Sequence, residues 1–181
     1  MECVVLERQL DPPIRLEDVR AMEAQSLWCL EQHRVRHVTS LLSSDGRRLT
    51  CSFAAPDAES VRSVVRRLDV PYRRIWPATV HGPVELPTSA PLAAHGAAVV
   101  VVERQFGDPV ELAAIQDVED RASWCFAQHR VRFLRTWFSL DRHRMLCTYA
   151  ARDAETVRTA QRQAGMPFAD VWSAIAYETA A

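Results

Sequence analysis

Cysteine, histidine and glutamate recur in this sequence at one fixed spacing, twice over. Cys29 and His33 stand four residues apart, and Cys125 and His129 repeat the interval at an offset of 96. On a helix an i, i+4 pair shares one face. A thiolate and an imidazole so placed can meet on one metal ion, or the imidazole can lower the thiol pKa and create a nucleophile. Glu23 and Glu119 precede the two cysteines at matching positions, and Glu23 falls on the helix side that carries Leu16, Leu27 and Leu30. A carboxylate on an apolar stripe must find a partner or raise its pKa. An arginine from the sheet, Arg8 or Arg36, is one candidate partner; a role as metal ligand or general base is the other reading. The candidate metal ligands are therefore Cys29, His33, Glu23, Cys125, His129 and Glu119. Plain packing competes with that reading, since buried cysteine behaves as a small hydrophobe and histidine is favoured at a helix C-terminus by the dipole.

The elements that position these residues are duplicated. Residues 4–78 align with 100–174 without a gap: Trp28-Cys29-Leu30-Glu31-Gln32-His33-Arg34-Val35-Arg36 returns as Trp124-Cys125-Phe126-Ala127-Gln128-His129-Arg130-Val131-Arg132. Most positions have drifted, so a costly residue kept in both copies is a candidate for a shared task. Among the histidines only His33 and His129 are matched; His37 faces Phe133. Cys51 is matched by Cys147 on the third strand, beside Leu49 and Phe53, where core packing is the favoured reading.

Each copy reads as strand, helix, strand, strand, helix, strand. Cys3–Gln9 is a short apolar run, a helix follows from about Arg15 to His33, and Val35–Leu42 alternates toward a second strand. Ser44-Asp45-Gly46 marks a hairpin turn, Arg48–Ala54 returns, and Asp57 caps a second helix running to about Leu68. Arg74–Val80 closes the copy. This βαββαβ order is that of the ferredoxin-like fold, an α+β class with both helices on one face of a four-stranded antiparallel sheet. The open face needs a cover, so the two copies are expected to pack as an intrachain pseudo-dimer resembling an α/β barrel, with Trp76 and Trp172 suited either to that interface or to the core. The expected organisation is 1–80, a linker at 81–97 and 98–181. Pro77–Ala97, rich in Pro, Ala, Gly and Thr, should be extended and exposed, with His81 and His95 as solvent-exposed loop residues. Trp28 and Trp124 should point outward, and Arg62 and Arg158 should cover the second helix or bond a carboxylate.

Bulk composition excludes several classes. The net charge of −1 gives no basic field for nucleic acid. The longest apolar run, Ala97–Val102, is too short to span a membrane, and the N-terminus has no basic n-region, so a cytoplasmic location with reduced thiols is expected for the five cysteines. There is no lysine, which removes Schiff-base, P-loop and pyridoxal-phosphate chemistry.

Val5-Leu6-Glu7-Arg8-Gln9 on the first strand, Val35-Arg36 after the helix, the Asp-containing turn, and Cys51-x-x-x-Ala55-x-Asp57-Ala58-Glu59-x-Val61-Arg62 with the later Pro71 resemble a family of small bacterial ferredoxin-like proteins, typified by a streptomycete nickel-binding protein and otherwise of unknown function. The resemblance covers both copies and implies a βαββαβ fold, association through the sheets and binding of nickel or a similar metal. Single-domain members make this tandem form look like a fused dimer.

Three functional readings follow. The first is binding of nickel, zinc or copper. The second is a small-molecule-binding or catalytic protein using Glu, Cys and His of each repeat. The third is a structural or interaction module; further homodimerisation is compatible with all three.

Overall fold

A computed structural model describes residues 1–82 and 89–178. The first repeat comprises β1 (Glu2–Gln9), α1 (Leu16–Gln32), β2 (Arg36–Ser43), β3 (Arg48–Ala55), α2 (Ala58–Arg67) and β4 (Arg74–His81). After α3 (Ser89–Ala94) the second comprises β5 (Ala98–Gln105), α4 (Leu112–Arg121), α5 (Ser123–Gln128), β6 (Arg132–Ser139), β7 (Arg144–Ala151), α6 (Ala154–Gln163) and β8 (Asp170–Glu178). In the first repeat β1 pairs with β3 and β4, and β3 with β2, all antiparallel, giving the order β4-β1-β3-β2. The second has the same arrangement, β8-β5-β7-β6. The chain is thus an α+β protein of two ferredoxin-like βαββαβ repeats. Among the described residues no helix is long and apolar enough to cross a membrane.

Two compact units result: Met1–Thr79 together with Ile175–Ala181, and Val80–Ala174. The end of β8 therefore folds with the first repeat, although its beginning pairs with β5.

Local chemistry sets the element ends. Asp57 caps α2 by accepting from the Ser60 N–H at 2.7 Å, and Asp153 caps α6 through the Thr156 N–H at 2.8 Å. Arg62 and Arg158 lie along these helices and donate to the carbonyls of Ile75 and Val171 while pairing with Glu59 and Glu155. The helix ends before β2 and β6 are twins. Val35 and Val131 donate back to the Leu30 and Phe126 carbonyls, each at 2.8 Å, around Arg34 and Arg130 at φ 55° and 54°. That is the Schellman arrangement, in which glycine usually holds the left-handed position.

Three expectations need correction. The segment read as an extended linker contains the helix α3, with Leu92 buried, and Pro77 and His81 belong to β4, His81 being half-buried; Pro83 and Pro87 lie outside the described residues. Leu27 is 48% exposed, because at about 100° per residue it sits at the rim of a stripe centred on Val19, Glu23, Ser26 and Leu30. The second copy of the long helix is divided into α4 and α5 at Ala122, where the Cys125 N–H takes the Ala122 carbonyl in a tighter, 3₁₀-like turn.

The core between helices and sheet in the first repeat is built from Val4, Leu6, Val19, Leu30, Leu49, Val61, Val64 and Val65. Trp76 is buried and donates its indole N–H to Glu7, as Trp172 does to Glu103. Trp28 and Trp124 are 52% and 58% exposed, with Arg67 lying over the Trp28 ring.

Candidate functional site: the cavity of the first repeat

The pairing of β2 with β3 shifts register between His37 and Thr39, leaving Val38 as an extra residue. In a regular strand residues 37 and 40 would point to opposite faces. The bulge resets the alternation, so His37 and Ser40 both face the helices. There they meet Arg8 of β1, Cys51 and Phe53 of β3 and Glu23 of α1 around a cavity of about 290 Å³. The rest of its wall is apolar, from Leu6, Val19, Leu30, Leu49 and the α2 residues Val64 and Val65.

Four polar side chains form a chain of contacts along one side. Glu23 Oε1 lies 3.4 Å from His37 Nδ1, His37 Nε2 lies 2.8 Å from Ser40 Oγ, and Ser40 Oγ lies 3.1 Å from Cys51 Sγ. His37 is also held by the Phe53 edge at 5.6 Å and by stacking on Tyr177 at 6.0 Å. Burial pushes the His37 pKa below the ordinary imidazole value, against the opposing pull of Glu23, the Thr39 backbone and Glu178. Burial raises the Cys51 thiol to about 11, despite the Ser40 hydrogen bond and the Arg8 charge, so Cys51 is a thiol at neutral pH. Arg8 is anchored by donation from Nε to the Pro71 carbonyl at 3.1 Å.

The second repeat keeps the frame and changes the groups. Phe133 stands where His37 does, Thr136 for Ser40 and Tyr149 for Phe53, with the same bulge between Phe133 and Arg135. Glu119 accepts from the Tyr149 hydroxyl at 3.0 Å and lies 3.7 Å from Arg104. Arg104 in turn donates to the Pro167 carbonyl at 2.6 Å and to Gln161 at 3.0 Å. Burial raises the Glu119 pKa, with Arg104 and Tyr149 opposing. Thr136 donates to Cys147 at 3.1 Å.

Of the residues singled out by spacing, Glu23 and Glu119 do turn inward, and Glu119 finds the sheet arginine expected of it. Glu23 instead meets His37. Cys29 and Cys125 are fully buried in the two cores, and Cys125 donates weakly to the Ala160 carbonyl. His33 and His129 are the helix C-caps; His129 Nε2 meets Gln163 at 2.8 Å, whereas His33 Nε2 is buried with no hydrogen-bond partner. Among the described residues no group of three or more His, Cys, Asp or Glu is placed to hold a metal ion. Cys29, His33 and Glu23, and their twins Cys125, His129 and Glu119, are not gathered into such a group.

His37 and Ser40, which line the cavity, were not singled out by spacing. Comparing the two copies selects what both retain, and His37 has no counterpart, so the comparison discards it. The bulge that brings it to Ser40 leaves no mark in an alternating strand pattern.

A family model described as "Nickel responsive protein SCO4226-like" matches residues 5–77 and again 101–173. No curated protein matches the sequence. Among solved structures, chlorite dismutase from Candidatus Nitrospira defluvii in complex with imidazole is 11% identical, with 98% of this chain and 90% of that chain covered and a TM-score of 0.51. A heme-binding protein from Thermus thermophilus is 8% identical, with coverage of 97% and 90% and a TM-score of 0.48. The first likeness supports the fold across both repeats.

Proposed function

The chain belongs to the SCO4226-like family of nickel responsive proteins, and from that premise we propose that it is a ligand-binding protein whose site is the cavity of the first repeat. The ligand is a small organic molecule with an aliphatic body and an uncharged polar head. The observation that carries this reading is the convergence of Arg8, Glu23, His37, Ser40 and Cys51 on one side of an otherwise apolar cavity of about 290 Å³. A few placed polar groups in an apolar wall is the usual composition of a small-molecule site, and the volume lies at the low end of the range. Arg8 and Glu23 offset each other in charge, which favours an uncharged head.

Calorimetric titration with aliphatic amides of four to eight carbons tests this. Binding in or below the millimolar range, abolished when Val64→Phe fills the cavity without altering the circular dichroism, supports it. Absence of binding across the series, or binding indifferent to Val64→Phe, refutes it.

A second reading draws on the Glu23–His37 pair. Nickel accepts imidazole and carboxylate, and these two groups lie 3.4 Å apart at the cavity wall. On this reading Glu23 and His37, rather than Cys29 and His33, retain the ion. Elemental analysis after nickel loading distinguishes them: about one nickel per chain, lost in His37→Phe and kept in His33→Gln, supports the pair. Background nickel in the unaltered chain removes the metal reading.

A further inference from the structure

We propose that the cavity of the first repeat is an acyl-transfer site in which Ser40 is the nucleophile and His37 its base, acting on esters of short aliphatic acids. The inference rests on the cavity taking a small organic molecule.

Glu23, His37 and Ser40 stand in the order carboxylate, imidazole, hydroxyl. The carboxylate lies at 3.4 Å from Nδ1 and the hydroxyl at 2.8 Å from Nε2, so the two ring nitrogens are engaged on opposite sides. In that order the carboxylate fixes the proton on Nδ1 and leaves the Nε2 lone pair for the hydroxyl. Serine is a weak nucleophile until a base at hydrogen-bond distance activates it, and here the distance is within reach. The Cys51 thiol is available to donate to the Ser40 oxygen, leaving the serine proton directed at His37. All of these side chains line the cavity, and Arg8, which lines it with them, supplies positive charge for an oxygen that becomes negative.

The step needs only these side chains, the ester and water. The Ser40 O–H proton passes to His37 Nε2 as Oγ bonds to the acyl carbon. The ester C–O bond then breaks, and the leaving alkoxide takes the proton from His37. Water, deprotonated by the same nitrogen, bonds to the acyl carbon; the Oγ–C bond breaks, the carboxylic acid leaves, and Nε2 returns the proton to Ser40 Oγ. The second repeat lacks this chemistry, because Phe133 replaces the base and Glu119 is bonded by Tyr149. Glu23 is a positioning residue.

The full chain incubated with p-nitrophenyl butyrate should release p-nitrophenolate and gain one butyryl group on Ser40. Trypsin cleavage at Arg47 and Arg48 separates the Ser40 peptide from that of Cys51, so the modified residue is read directly. Ser40→Ala should abolish the acyl peptide, and His37→Phe or His37→Gln should slow its formation by about 100-fold or more, with unchanged circular dichroism. Glu23→Gln should lower kcat for p-nitrophenolate release while leaving KM unchanged. Acyl on Cys51, or an undiminished rate in Ser40→Ala, overturns the proposal. Amides that bind while neither p-nitrophenolate nor acyl-serine forms overturn it and leave the binding reading intact. Failure of both binding and acylation removes both.

Discussion

Trp76 donates its indole N–H to Glu7 at 2.7 Å, and the pair recurs in the second repeat as Trp172 and Glu103 at the same distance. Glu7 also receives Arg74 at 3.3 Å, while only 14% of its side chain is exposed. Removing the indole donor leaves a mostly buried carboxylate short of a partner. Trp76→Phe is expected to lower the unfolding free energy by about 1–3 kcal/mol, and Trp172→Phe by a similar amount, as read by urea denaturation.

The sheet arginines are twins in sequence but not in consequence. Arg104 is 3% exposed and bonds Pro167 and Gln161 beside Glu119, whereas Arg8 is half-buried at a cavity wall. Arg104→Ala leaves the Pro167 carbonyl and Gln161 without their buried donor and should cost about 2–3 kcal/mol. Arg8→Ala should cost about 1 kcal/mol. Equal losses in chemical denaturation would contradict the asymmetry.

His37 gives the first repeat a pH dependence. Its pKa is lower folded than unfolded, so between those two values the unfolded chain binds more protons and stability rises with pH. The stability is complete above the ordinary imidazole pKa and is lost as pH falls through the folded value. His37→Phe should flatten that window. The check is a comparison of thermal midpoints of the two proteins from neutral to mildly acidic pH.

Arg34 and Arg130 hold left-handed conformations that cost an L-residue about 1–2 kcal/mol. Glycine avoids that cost and adds a smaller entropic one. Arg34→Gly and Arg130→Gly should each stabilise by about 0.5–1 kcal/mol, visible as a raised midpoint.

Native alkylation should reach Cys3 before the other thiols, since Cys29, Cys51, Cys125 and Cys147 are all buried. Intact mass after brief iodoacetamide treatment at about pH 8, near the ordinary thiol pKa, should show one adduct. Rapid multiple labelling would mean that the cores open readily.

The βαββαβ order of each repeat was legible because its cues are local: Asp57 as a cap, the Asp45 turn, and short apolar runs. The inward side of Glu23 was legible too, because helical rotation depends only on spacing. What faces it was not. His37 reaches Glu23 through a bulge at Val38, and a bulge is a pairing event between strands rather than a property of one segment. Internal comparison also biased the reading. The matched Cys29, Cys125, His33 and His129 occupy core and C-cap positions common to both copies, while the distinctive chemistry of the first repeat lies where the copies diverged, at His37 against Phe133 and Phe53 against Tyr149.

The last strand binds the two halves of the gene product into a single timetable. Thr39 donates to Glu178, 139 residues later, and His37 stacks on Tyr177, although all six secondary elements of the first repeat have been made long before. The N-terminal half therefore emerges from the ribosome with His37 still lacking Tyr177, and gains that neighbour only when translation has passed through the second repeat. Splitting the coding sequence between repeats should yield a first fragment in which His37 lacks Tyr177 and Thr39 lacks Glu178. Loss of the final strand's end should accordingly be felt in the first repeat before the second.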